Sequence, residues 1–92
     1  MQSFTAVVVN DVGLHARPAA VFVQTAAKFK SSIKIRNLTN GKDFVDAKSI
    51  LGVLTLGVSK DHLVEVQLTG EDEQEAAKTL KDIFDNNFKG LL

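Results

Sequence analysis

Apolar and polar positions along the chain change period several times, and each change marks an element. Residues 3 to 9, Ser-Phe-Thr-Ala-Val-Val-Val, are rich in β-formers and stop at Asn10-Asp11-Val12-Gly13. The run predicts a strand closed by a turn. From Pro18 to about Phe29, the apolar residues Ala19, Phe22, Val23 and Ala26 fall at helical spacing. They predict a helix that tolerates proline in its first turn. Ile33 and Ile35 alternate with Lys34 and Arg36 as in a half-buried strand, and Asn40-Gly41 turns the chain into a partner strand over 43–47. Ser49 at the head and Gly57 at the foot of an apolar segment predict a two-turn helix. Val64, Val66 and Leu68 alternate with Glu65 and Gln67 in a fourth strand. Gly70 and the acidic Glu71-Asp72-Glu73 then open a last helix, whose buried stripe is Ala76, Leu80, Ile83 and Phe84.

The resulting order is β-α-β-β-α-β-α. It predicts an α+β two-layer open-faced sandwich, mostly antiparallel, with helices on one face of the sheet and water on the other. A chain of 92 residues, 45% of them apolar, is expected to form one domain over 1–92 with a modest single core. Charge narrows the function. Lys plus Arg equals Asp plus Glu at 11 each, so the basic excess of a nucleic-acid or membrane-surface binder is missing. No run approaches the roughly 20 apolar residues of a membrane span. The first residues lack the basic start and apolar stretch of a signal peptide. With no cysteine, disulfides and thiolate chemistry are excluded and a cytoplasmic setting is the simplest fit. His62 is expected at a turn or strand edge, without the spaced ligands a metal site would need. The six phenylalanines (Phe4, Phe22, Phe29, Phe44, Phe84 and Phe88) are expected in the core.

The stretch with chemistry in it is "VGLHARPAA", residues 12 to 20. It sets His15 at or beside the start of the first helix, where free N–H groups and the helix dipole make an anion site. That positive end disfavours an imidazolium, and a neutral imidazole has the lone pair a nucleophile requires. Arg17 adds a planar cation able to hold phosphate oxygens. Nucleophile, anion cradle and counter-charge together describe a phosphoryl acceptor. An isolated His-x-Arg is more often a cap beside a solvated arginine, so the pair gains weight only from the rest of the chain.

"GLHARPAA" at 13–20 and "AKSILGVLTLG" at 47–57 resemble the two signatures of the HPr family, in the family's own order and over almost the whole chain. HPr proteins are the histidine phosphocarriers of the bacterial phosphoenolpyruvate-dependent sugar phosphotransferase system. The resemblance implies a four-stranded antiparallel sheet in the order 1-4-2-3 under three helices. It implies that His15 receives a phosphoryl group on Nδ1 from enzyme I and passes it to the A domains of sugar permeases, with Arg17 holding the phosphate. Such a protein is a carrier without independent turnover, needs no cofactor, and is expected to act as a monomer. The matching serine, Ser49, is in some members the regulatory target of an HPr kinase/phosphorylase. That implies a second reading, a regulatory module acting on a transcriptional regulator or in a nitrogen-type branch. Ala16, Ala20 and Val21, with Ile50, Leu51 and Leu54, are the expected apolar docking patch. The segment "RNLTNG", 36–41, is longer than in typical members, and its tip is expected to lie far from His15.

Overall fold

The computed structural model describes residues 1–88. The strands are β1 (Gln2–Val7), β2 (Ser32–Asn37), β3 (Lys42–Asp46) and β4 (Leu63–Thr69), and the helices are α1 (Ala16–Ala26), α2 (Ile50–Thr55) and α3 (Glu73–Asp85). All pairings are antiparallel and the strand order is β1-β4-β2-β3. This is the expected open-faced sandwich. Alternation fixes its register: Ala6 lies opposite Val64 and Ile35 opposite Val66, so the apolar members of each strand share the helix-covered face. Burial of those residues against α1 and α3 is the main stabilising term, since transfer of apolar surface from water drives folding. Phe84 anchors the centre, with ring centroids 5.5 Å from both Phe22 and Phe88.

Three boundaries differ from expectation, the first two through identifiable long-range hydrogen bonds. Strand β1 ends at Val7 rather than residue 9, because the Val8 backbone turns to the 58–62 loop: its N–H donates to the His62 carbonyl at 2.9 Å and its carbonyl accepts from Asp61 at 2.6 Å. Helix α1 runs from Ala16 to Ala26 rather than from Pro18 to Phe29. Its far end is cut short by Asp72, whose carboxylate accepts from the N–H of Lys30 at 2.8 Å and of Ser31 at 3.0 Å and pulls the chain off the helix axis. Strand β3 is displaced by one residue, to Lys42–Asp46. Phe44 also departs from its expected place in the core. It lies on the open face of the sheet beneath Arg36, whose guanidinium is 4.7 Å from the ring centroid.

Candidate functional site

The end of the sheet where β1 stops is built by a loop that leans on a second loop. The Gly13 N–H returns to the Asn10 carbonyl at 3.1 Å, and the buried Asn10 Nδ2 donates to the Gly13 carbonyl at 2.8 Å. Leu14 then donates to the Val58 carbonyl at 3.0 Å and buries its side chain. Only glycine fits between these bonds. Gly13 has φ +62°, and a Cβ there would stand 2.2 Å from the Val58 oxygen.

His15 follows as the N-cap of α1, in extended conformation (φ −128°, ψ 154°), and its side chain makes no capping hydrogen bond. It is exposed, as are Ala16 and Arg17. Ala16 has φ +47°, a left-handed conformation that costs a non-glycine residue about 1–3 kcal/mol. The first turn thus opens sharply, and Pro18, buried at its third position, has no N–H to offer. The N–H groups that begin the helix are left to an external acceptor. Among the described residues Arg17 forms no ion pair.

Helix α2 packs beside α1. Its N-cap Ser49 accepts the Gly52 N–H through Oγ at 3.2 Å, and Gly57, with φ +61°, ends it. Leu51 is 74% exposed and Ile50 38%, whereas Leu54 is half-buried against the core. On α1, Ala20 and Val21 are half-buried. Sequence reasoning passed over Val12, which is 58% exposed three residues before His15. An apolar residue inside a polar turn was the signal. Among the described residues no cluster of His, Cys, Asp or Glu could hold a metal ion, and no helix is long and apolar enough to cross a membrane.

The hairpin between β2 and β3 leaves the sheet at this same end. Asn37 pairs with Val64, next to the position where Leu63 meets Val7. Beyond it, Asn40 Nδ2 donates to the Leu56 carbonyl at 2.8 Å. The tip is thus tied to Leu56, two residues before the Val58 carbonyl that holds Leu14.

The fold and this helix start define a class of small open-faced sandwiches that present an exposed, uncapped histidine at the head of the first helix. A family model described as the phosphorylation site of the PTS HPr component matches residues 2–86, and the chain belongs to that family. Phosphocarrier protein HPr of Xylella fastidiosa (strain 9a5c) is 43% identical over 82 residues, 89% of each chain. The solved HPr-C-His of Thermoanaerobacter tengcongensis is 44% identical and covers all of both chains with a TM-score of 0.91. Crh of Bacillus subtilis, a catabolite repression protein solved as a swapped dimer, is 42% identical, with a TM-score of 0.70 over 85% of this chain and 86% of its own.

Proposed function

We propose that this protein carries phosphoryl groups on His15 between enzyme I and the A domains of sugar permeases, in the cytoplasm and without turnover of its own. The observation that carries the reading is the start of α1: an exposed histidine without a side-chain capping bond, beside an arginine that forms no ion pair with any described residue. A His15 ring nitrogen attacks the phosphorus as the donor's bond to it breaks, and the reverse exchange passes the group onward. Arg17 and the open N–H groups of α1 hold the phosphoryl oxygens, since such transfer depends mainly on alignment and charge stabilisation. Ala16, Ala20, Val21, Ile50, Leu51 and Leu54 form the apolar rim that partners cover. A monomer suits this role, because His15 must enter a partner's pocket. The test is incubation with enzyme I and labelled phosphoenolpyruvate. One acid-labile phosphoryl group is expected on His15, and none on a folded His15→Ala variant. Label on His62, or label persisting in His15→Ala, overturns the reading.

A regulatory role through Ser49 is supported by its place beside the exposed Leu51. A phosphate there would meet the positive end of α2 and set close to two negative charges against the apolar rim. Ser49→Asp is expected to slow phosphorylation of His15 with thermal stability unchanged or slightly raised. An unchanged rate would leave Ser49 as a cap alone.

A further inference from the structure

The turn before β4 contains a histidine without a part in the scheme above. The Nδ1 atom of His62 accepts the N–H of Ser59 at 3.1 Å and lies 3.0 Å from Asn37 Nδ2. A backbone N–H can only donate, so Nδ1 presents its lone pair and the ring proton sits on Nε2. The Asn37 atom facing Nδ1 must then be the amide NH2, which settles an orientation that coordinates alone leave to inference.

Once oriented, that amide is used on every side. Asn37 is 0% exposed. Its Nδ2 also donates to the Leu56 carbonyl at 3.2 Å, and its Oδ1 accepts from Thr39 at 3.0 Å and Asn40 at 3.4 Å. Turning it over would set NH2 against the N–H groups of Thr39 and Asn40 and its oxygen against the Leu56 carbonyl. Leu56 in turn leads to Val58, the shelf for Gly13 and Leu14. The His62 backbone reaches the same loop directly through its carbonyl bond from Val8. His62 thus joins three segments distant in sequence: the end of β1, the β2–β3 hairpin and the end of α2.

We infer that His62 is a positioning residue for phosphoryl transfer at His15: its Nδ1 lone pair ties the Ser59 N–H to the Asn37 amide, and the chain Asn37–Leu56–Val58 sets the loop from which His15 projects. The inference rests on the reading of His15 as the phosphoryl acceptor. Two substitutions separate the lone pair from the bulk of the ring. His62→Leu keeps an apolar side chain of comparable reach but has no acceptor, whereas His62→Asn offers Oδ1 close to where Nδ1 stood.

The experiment combines amide hydrogen exchange with transfer kinetics from phospho-enzyme I. In His62→Leu the Ser59 and Leu14 amides are expected to exchange at least about tenfold faster. The maximal transfer rate is expected to fall about tenfold while KM for phospho-enzyme I stays within about twofold, because the docking rim is untouched. His62→Asn is expected to restore both. Unchanged exchange and rate in a folded His62→Leu, or a His62→Asn no better than His62→Leu, overturns the inference. Should His62→Leu fail to fold, His62→Gln replaces it. Its acceptor extends to the Nε2 position, so it must behave worse than His62→Asn. If the unmodified protein takes no label on His15, the carrier reading fails by itself. The exchange arm then still decides whether His62 governs the loop.

Discussion

Helices α1 and α2 pack against each other, and they begin differently. At α2, Ser49 turns its own hydroxyl oxygen onto the Gly52 N–H and closes the helix end. At α1, His15 turns no atom inward, Ala16 is held at φ +47°, and the opening N–H groups face outward. The first start serves the fold and the second leaves binding capacity unspent. A helix end satisfied by its own side chain is stable but has little left to offer an anion. One left open gives up that stabilisation and retains an anion site. The protein uses one solution on each helix of the pair.

The comparison is broken most severely at the loop beneath α1. Gly13→Ala is expected to destabilise the protein by about 3 kcal/mol or more in urea unfolding, through left-handed strain and the approach to Val58. A loss below about 1 kcal/mol would show that the shelf yields easily. Arg17→Ala is expected to slow phosphoryl exchange at least about tenfold, roughly 1.4 kcal/mol at the transition state, while the melting temperature hardly moves. Equal exchange rates would remove Arg17 from the chemistry. The capping contrast is tested by a pair. Ser49→Ala is expected to cost about 1 kcal/mol of stability. His15→Ala is expected to change stability by less than about 0.5 kcal/mol. Equal losses would erase the difference between the two helix starts.

The smallest effect separates the third helix start from both. The Ser31 hydroxyl, followed by the Lys30 N–H, holds the Asp72 carboxyl below the ordinary carboxylate range. The unfolded chain therefore takes up this proton more readily than the folded one. The contribution is present in full above the ordinary range and is lost as pH falls through it to the lower folded value. Asp72→Asn should lower the urea midpoint at about pH 6 and converge with the parent protein near pH 2. A constant gap across that window would assign the effect to shape rather than charge.

Local periodicity made most of this fold legible. The alternation of Ile33, Ile35, Val64, Val66 and Leu68 placed the strands, and Ser49 with Gly57 bracketed α2 to the residue. What local pattern missed was decided at long range. The end of α1 depends on Asp72, more than 40 residues on from Lys30. The hairpin's position depends on Asn37, which sits at the inward register after Ile33 and Ile35. A buried asparagine there was a readable anomaly, but its partners Leu56 and His62 come from other elements. Phe44 was misplaced because the cation over it belongs to the neighbouring strand. In the candidate site, the chemistry-bearing residues His15 and Arg17 stood out in sequence, while the shelf supporting them did not.

That shelf has a consequence for the order of assembly. The loop from Val8 to Leu14 is closed by Val58, Asp61 and His62, and among the described residues β1 pairs with β4 alone. Loops that long are slow to close and bring no reward until both ends exist. A nascent chain that has emerged only through β3 already contains His15 and Arg17, yet nothing holds them in place. Synthesis must deliver Val58 to His62 and β4 before the histidine acquires its setting.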